Sequence, residues 1–387
     1  MTRYIRLGSR LLLGFCLTVL LWLPLVTQPA TGSIPEDKIS DLVEEFIFPM
    51  STAPGMIIGI VSGKDVYLAG FGETARGSGV KPNGETVWQI GSVSKVFTGN
   101  ILAAMVASKT VGLTDPVQDY LPEGMSAPIY EGRPITLLDL ATHTAGLPRG
   151  LPTKNSNLEE NYLVNDYYMA DEFYPWFDDY ELPVKPGVYY QYSNIGFALL
   201  GQSLARKESL TYGKLVQKYI SQPYGLKDTT VAPNQDQLKR KASSYWMNGK
   251  EIPEDWVFQF EQPSGGLYST GNDLLKFLQL NLGLLDQDYY SMSKIAHAAY
   301  VYQRELDNPL AFGQGAMALS WEVQYPAGGL STLLNKNGWV SGFNTWVMIL
   351  PGEQIGIFSI TNKPFLCIDS HLKLILRMVL ASKRSYH

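Results

Sequence analysis

The most constraining feature of the sequence is the segment from Val87 to Lys109, where an extended apolar stretch breaks at Gly91 and a long helix-compatible run begins at Ser92. A helix would place Ser92 and Lys95 on one face, because they are three residues apart. A serine hydroxyl becomes a strong nucleophile when a neighbouring base removes its proton, and a lysine whose pKa is lowered by burial or by a second cation can be that base. The segment therefore predicts a nucleophilic serine at the positive N-terminal end of a buried helix.

The Ser-x-x-Lys pattern alone is weak, since it occurs four times in the chain. The other three matches are Ser78 to Lys81, Ser291 to Lys294 and Ser370 to Lys373. None of them combines a preceding strand, a glycine break and a following apolar helix. The order of these local elements therefore selects Ser92.

A second candidate element is Tyr192-Ser193-Asn194, which comes directly before another apolar helix. A phenol that lies between two lysines can have its pKa lowered, and can then take a proton from Ser92 and return it to a leaving group. Asn194 offers an amide donor and acceptor for a substrate amide. The alternative interpretation is a turn in which this tripeptide caps the helix.

A third candidate element is the segment Lys336-Asn337-Gly338-Trp339, which leads into a late pair of strands. A lysine at the start of an edge strand could bind a substrate carboxylate, and Gly338 would allow close approach of the backbone. The Trp339 amide could join that of Ser92 in an oxyanion hole. An ordinary Asn-Gly turn with a solvated lysine is the alternative.

Taken in order, the three elements resemble the three motifs of serine penicillin-recognising enzymes, and the tyrosine of the second resembles the class C branch of β-lactamases, D-Ala-D-Ala carboxypeptidases and related esterases. Two further stretches are similar to the same branch, namely Thr142 to Pro148 and Gly265 to Thr270. The resemblance covers nearly the whole chain from Ile34 onward. It implies an α/β (α+β) fold of the β-lactamase/transpeptidase-like type, with an antiparallel sheet flanked by helices and a mainly helical lobe.

The resemblance also implies a function, which is acyl transfer through a covalent serine ester on D-Ala-D-Ala peptides of peptidoglycan, with binding of β-lactams and no cofactor or metal. Ser92, Lys95 and Tyr192 would be catalytic, and the choice of base between the last two is open. The expected substrate-binding residues are Asn194, Lys336, Asn337, Gly338 and Trp339. A β-lactamase, a small-substrate esterase and a penicillin-binding sensor without turnover remain alternatives.

Two residues depart from the family pattern in the third motif. Asn337 occupies a position where the family usually has Thr or Ser, and it lacks a hydroxyl that could share a proton with a carboxylate. Trp339 replaces a residue that is usually small. Both could narrow the site or change its substrate. His143 lies in a family-like stretch, but without a paired Asp it is expected to be structural.

The N-terminal segment predicts export. Three arginines, Arg3, Arg6 and Arg10, precede an apolar run from Leu11 to Val26, and small residues before Ser33 suit cleavage after residue 32. An uncleaved anchor, with association with the inner membrane, is the alternative to a periplasmic protein. Without the three arginines, 28 of the 31 basic residues remain against 36 acidic ones, so nucleic acid is not an expected partner.

The number and spacing of the cysteines and histidines argue against an intramolecular disulfide and against a metal site. The exported part would contain one cysteine, Cys367, which cannot form an intramolecular disulfide. The four histidines, His143, His297, His371 and His387, have no metal-ligand spacing.

Apolar strand pairs near both ends of the chain predict a discontinuous α/β lobe, from about 33–110 and 310–387, around a helical lobe from about 111–309. The resemblance implies that the two lobes form one catalytic domain over residues 33–387. The expected strands of the α/β lobe are 56–61, 66–71, 343–350 and 355–361, and a helix over 34–48 precedes them. A C-terminal helix over 368–381 would cover the sheet, with a membrane-surface helix as the alternative. Helices are also expected over 135–142, 195–205, 210–220 and from a Thr270 cap through Leu282.

One insert within the helical lobe, from Asn155 to Glu181, contains eight acidic and eight aromatic residues and neither Lys nor Arg. It could be a solvated cover whose aromatic side chains pack on the lobe. It could instead be a rim that attracts cationic substrate groups. The sequence does not separate these two hypotheses.

Overall fold

An eight-stranded antiparallel sheet forms the centre of the fold. The structure is a computed structural model that describes residues 33–152, 169–310 and 315–385. The strands are β1 (Gly55–Ser62), β2 (Asp65–Gly72), β3 (Val87–Gln89), β4 (Ile129–Tyr130), β5 (Arg133–Pro134), β6 (Ser244–Tyr245), β7 (Glu251–Ile252), β8 (Tyr268–Thr270), β9 (Val301–Tyr302), β10 (Ala316–Met317), β11 (Glu322–Gln324), β12 (Leu333–Val340), β13 (Phe343–Leu350) and β14 (Ile355–Thr361). The large sheet has the order β2-β1-β14-β13-β12-β11-β10-β9, and three two-stranded sheets pair β3 with β8, β4 with β5 and β6 with β7.

The helices surround this sheet and fill the middle of the chain. The α-helices are α1 (Glu36–Leu42), α2 (Phe48–Ser51), α3 (Ser94–Ala107), α4 (Leu137–Ala141), α5 (Ala170–Asp178), α6 (Asn194–Lys207), α7 (Tyr212–Val216), α8 (Gln222–Tyr224), α9 (Gln235–Lys239), α10 (Gln262–Gly265), α11 (Gly271–Asn281), α12 (Gln287–His297) and α13 (Ile368–Ser385). No helix within the described ranges has the length and apolar composition needed to cross a membrane. The predicted signal segment lies outside the described residues.

Both predicted strand pairs are confirmed, and they join the two ends of the chain. β1 pairs with β2 and β13 pairs with β14, each across a short turn, and β1 then pairs with β14 in antiparallel register. The predicted antiparallel sheet, built from strands at both ends of the chain, is therefore confirmed.

The sheet is buried on both faces, which explains why all eight residues of β1 are buried rather than every second one. Ile57 and Val61 face the core that contains α3, whereas Ile58 and Ile60 pack in a second core with the terminal helices. In that second core Ile375 of α13 is fully buried. The C-terminal helix therefore covers the sheet as predicted, and the membrane-surface alternative is wrong because the apolar face is already packed.

The first helical segment differs in detail from the prediction. The chain is helical from Glu36 to Ser51, but a π-turn over Val43–Ile47 interrupts the α-helical spacing. An extra residue in the turn rotates the face that follows it. Helical spacing from Ile39 and Val43 would turn Phe46 toward the core, but with the π-turn Phe46 is 39% exposed while Ile47 is fully buried.

The predicted helices of the central region are confirmed within a few residues as α4, α6, α7 with its continuation through a π-turn over Gln217–Ser221, and α11. Thr270 caps α11 as predicted, because its Oγ1 accepts a hydrogen bond from the Asp273 amide at 3.3 Å. Half of the acidic and aromatic insert lies outside the described residues. In the remaining half, Phe173 and Phe177 of α5 are buried and Phe173 stacks on Phe260, which supports a packed cover for that part.

Candidate active site

Ser92 lies at a sharp change of direction between strand and helix. β3 ends at Gln89, Gly91 adopts a left-handed conformation with φ of +53°, and one 3₁₀ turn over Gly91–Val93 leads into α3. α3 is buried on all sides from Ser94 to Met105, and its apolar side chains belong to one core with Ile57 of β1 and Phe197 of α6. The predicted order of strand, glycine and apolar helix is confirmed, and it leaves Ser92 half-buried at the N-terminal end of the helix.

Lys95 is the second residue of α3, one turn after Ser92, and it is fully buried beside the serine hydroxyl. Its Nζ is 3.1 Å from Ser92 Oγ, 2.8 Å from Asn194 Oδ1 and 2.6 Å from the Ser264 carbonyl oxygen. Burial lowers the pKa of Lys95 to about 8, against an opposing increase from Tyr192. An ammonium ion can donate to all three oxygens, whereas a neutral amine can donate to the amide and the carbonyl and accept from the hydroxyl. The geometry is thus compatible with either protonation state.

The Tyr192-Ser193-Asn194 tripeptide satisfies both interpretations of the sequence. Ser193 caps α6, since its Oγ accepts a hydrogen bond from the Gly196 amide at 2.9 Å and donates to the Pro148 carbonyl at 2.7 Å. The same turn places Asn194 against Lys95 and the ring of Tyr192 beside it. The cap therefore fixes the tripeptide next to the Ser-x-x-Lys turn.

Tyr192 lies between two lysines, as its proposed chemistry requires. The Nζ atoms of Lys95 and Lys336 are 4.9 Å and 5.2 Å from the centroid of its ring. Burial by itself would raise the pKa of the phenol, but the two cations and hydrogen bonds from Lys95 and Ser92 outweigh it and lower this pKa to about 7. Charge stabilisation thus makes a phenolate accessible near neutral pH.

Lys336 does not lie where the sequence placed it. It is the fourth residue of β12, an interior strand between β11 and β13, so the prediction of an edge strand and the alternative of an Asn-Gly turn are both wrong. The side chain is 2% exposed, and its Nζ lies 3.4 Å from Glu322 Oε1 on the adjacent strand and 3.2 Å from Asn337 Oδ1. Burial lowers the pKa of Lys336, but Tyr192 and Glu322 reverse this effect and raise it overall. Tyr192 and Glu322 therefore stabilise the positive charge of Lys336 within the buried site.

The backbone of β12 packs directly on the serine turn. A Cβ atom at Gly338 would clash with the Ile90 carbonyl oxygen and lie 3.0 Å from the Ser92 amide nitrogen, and one at Gly91 would lie 3.0 Å from the Trp339 amide nitrogen. Both glycines are thus required by close approach. The Ser92 and Trp339 amides consequently lie where β12 packs against the serine turn. Trp339 itself is 45% exposed.

All eight predicted site residues are brought together, and their neighbours include three residues that the sequence did not single out, Ser264, Glu322 and Arg149, and one that was expected to be structural, His143. Ser264 and Glu322 hold the two lysines, and His143 and Arg149 border Tyr192. Ser264 and Arg149 each adjoin a family-like stretch and His143 lies within one, so the sequence carried a signal for these three and none for Glu322. The other contacts depend on strand pairing and loop packing.

The remaining Ser-x-x-Lys matches lie elsewhere in the fold: the first is in the loop after β2, and the others are on α12 and α13. Among the residues that the structure describes, no group of three or more His, Cys, Asp or Glu side chains is arranged to hold a metal ion.

The fold and the arrangement of Ser92, Lys95, Tyr192 and Lys336 are together those of a β-lactamase/transpeptidase-like serine hydrolase. Comparison with known proteins gives the family. The chain belongs to the Beta-lactamase family, whose model matches residues 41–367, and it is class C-like. The predicted family is therefore confirmed.

Individual relatives cover most of the chain. The D-alanyl-D-alanine-carboxypeptidase/endopeptidase AmpH of Escherichia coli K12 is 31% identical over 346 residues, which are 87% of this chain and 86% of that protein. A β-lactamase of Providencia stuartii is 25% identical over 87% of this chain and 89% of its own length. The solved structure of a β-lactamase/D-alanine carboxypeptidase from Yersinia pestis, complexed with citrate, superposes with a TM-score of 0.77 at 28% identity and covers 89% of this chain and 97% of that one.

Proposed function

We propose that this protein is an exported serine DD-carboxypeptidase/endopeptidase that cleaves D-Ala-D-Ala type peptides of peptidoglycan through an acyl-enzyme and that also binds β-lactams. The observation that carries the proposal is the contact of Ser92 Oγ with Lys95 Nζ at 3.1 Å, beside a tyrosine whose pKa is lowered to about 7. This arrangement supplies a nucleophile, a base and a proton donor within one cluster.

The Tyr192 phenolate is the base in this mechanism, and Lys95 stays protonated. We assign this role to Tyr192 because the charges of Lys336 and Lys95 lower the pKa of its phenol, which stabilises the phenolate that a base requires. Ser92 attacks the peptide carbonyl while its proton moves to Tyr192. The phenol then gives that proton to the leaving amine, and an ester remains on Ser92. Water, activated by the same phenolate, hydrolyses the ester and restores the serine.

The other site residues bind charge and orient the peptide. The amides of Ser92 and Trp339 stabilise the oxyanion of the tetrahedral intermediate. Lys336 and the side-chain amide of Asn337 receive the C-terminal carboxylate, and Gly338 lets the strand approach the serine turn. Asn194 binds the substrate amide while it orients Lys95.

The names of the relatives support a peptidase and leave one alternative. The relative at 31% identity is named a D-alanyl-D-alanine-carboxypeptidase/endopeptidase, which favours peptidoglycan peptides as substrate. Several proteins at 22–26% identity are named β-lactamases. A β-lactamase would use the same residues but would have to deacylate rapidly.

The test is mass spectrometry of the protein after brief incubation with a fluorescent penicillin, followed by release of D-alanine from a D-Ala-D-Ala peptide. A slowly released adduct on Ser92 together with D-alanine release supports the peptidase. An adduct that vanishes as the drug is consumed, without D-alanine release, establishes the β-lactamase instead. Ser92→Ala should give neither adduct nor product, and Ser291→Ala, in an exposed Ser-x-x-Lys on α12, is the matched control that should behave as wild type. Normal turnover by Ser92→Ala would refute the assignment.

A further inference from the structure

His143 holds the chain on both sides of Tyr192. Its carbonyl oxygen accepts a hydrogen bond from the Gln191 amide at 2.8 Å, and its Nδ1 accepts one from the Ser193 amide at 3.0 Å. Its ring also packs on the ring of Tyr192, with 4.4 Å between centroids and 30° between planes. One residue therefore contacts the tyrosine directly and fixes both of its neighbours.

These bonds also determine the protonation of the imidazole. Because Nδ1 accepts from an amide, the neutral ring must hold its proton on Nε2. Nε2 is buried and has no hydrogen-bond partner among the described residues, and the ring is enclosed by Tyr190, Tyr192 and Phe197. Burial, with Lys95 as the next largest cause, holds the pKa of His143 well below its usual range. The ring is thus neutral, as the acceptor role of Nδ1 demands.

The backbone at this position is unusual as well. His143 has φ of +60°, in the left-handed region that non-glycine residues seldom adopt. This conformation turns the carbonyl oxygen and the ring toward the same strand-like segment, so that both can accept from it. Among residues with a side chain, asparagine tolerates this region well, and its Oδ1 occupies a position close to that of a histidine Nδ1.

We infer that His143 is a positioning residue, which fixes the phenol of Tyr192 between Lys95 and Lys336 through the two flanking amides and the ring contact. This inference rests on the proposed function, because it assigns His143 to the proton transfer through Tyr192. Without the Nδ1 acceptor, the buried Ser193 amide loses its partner, and the turn that holds the phenol between the two cations is released.

The experiment compares His143→Asn with His143→Phe. Asparagine keeps the acceptor and suits the backbone, whereas phenylalanine keeps a ring of similar size and removes the acceptor. Two quantities are measured: kcat and KM on a D-Ala-D-Ala peptide, and the ionisation of Tyr192 from tyrosinate absorbance, with Tyr192→Phe subtracted. Circular dichroism establishes the folded fraction of each variant, so that rates are expressed per folded molecule.

We expect His143→Phe to lose about 100-fold in kcat with little change in KM, since misplacing a proton-transfer group removes that catalytic contribution. Its Tyr192 absorbance should titrate at a higher pH than in wild type. His143→Asn should retain most of the wild-type kcat and the wild-type titration. Equal kcat and titration in wild type and His143→Phe would overturn the inference, as would equal loss in both variants.

Failure of the proposed function would look different. If wild-type protein forms no adduct on Ser92 but the titration of Tyr192 still depends on the acceptor of His143, the function is wrong and the positioning stands. If the adduct forms normally and the titration is indifferent to His143, the function stands and the positioning is wrong.

Discussion

Removing the charge of Lys336 should raise the pKa of Tyr192 and move the pH dependence of acylation with it. Lys336 Nζ lies 5.2 Å from the centroid of the tyrosine ring, and its charge is the largest influence that lowers this pKa. At that distance and an effective dielectric constant of about 20, the attraction between the cation and a phenolate is about 3 kcal/mol. This energy corresponds to about two pKa units, so the pKa of Tyr192 should rise from about 7 to about 9.

Only the phenolate can accept the proton of Ser92, so acylation rises with pH through the pKa of Tyr192. In Lys336→Met the phenolate fraction at neutral pH should fall from about one half to about one hundredth, which lowers kcat/KM about 50-fold. The loss should disappear above about pH 9, where the phenol of the variant ionises.

Two further effects of the substitution must be separated from this one. Lys336 is also the proposed carboxylate site, so the assay uses a small ester without a carboxylate, followed by stopped-flow over a range of pH. The substitution leaves Glu322 buried without its partner. The double variant Lys336→Met with Glu322→Gln removes that charge, and Glu322→Gln alone is the control that keeps the lysine. A loss of the same size at every pH would refute the electrostatic argument.

Two other predictions follow from packing and burial. Gly338→Ala should lower the acylation rate about 100-fold, because the added Cβ would clash with the Ile90 carbonyl oxygen and displace the oxyanion amides. Gly352→Ala, at a turn where an added Cβ meets no other atom, is the control. An unchanged rate for Gly338→Ala in stopped-flow assays would contradict the close approach of β12 to the serine turn. Burial lowers the pKa of His297 from its ordinary value of 6.5 to about 3 in the folded chain. Between these two pH values the imidazole binds a proton in the unfolded chain but not in the folded chain. Stability should therefore fall by about 2 to 3 kcal/mol between about pH 7 and pH 4.5 from this residue. His297→Gln, which can still donate to Asn281, should show a correspondingly smaller fall in urea unfolding, and an identical fall would show that His297 is not responsible.

The sequence by itself determined the local elements of the site. The Ser92 turn could be predicted because a strand, a glycine and a helix are encoded in consecutive residues, and because helical spacing places Lys95 one turn further on. The late strands could be predicted because turn residues separate two apolar runs. The cap of α6 at Ser193 is local in the same way. Each of these features depends on interactions within a few residues.

Only the tertiary structure decided how these elements meet and what charge they hold. The position of Lys336 in an interior strand follows from the pairing of β12 with both β11 and β13, and the same register brings Glu322 to it. The contact of His143 with the turn at Tyr192 depends on two loops packing together. The lowered pKa of Tyr192 needs two cations held in a buried volume. Burial and the distance between charges are properties of the folded chain, because they are set by residues far apart in sequence, and no local pattern encodes them.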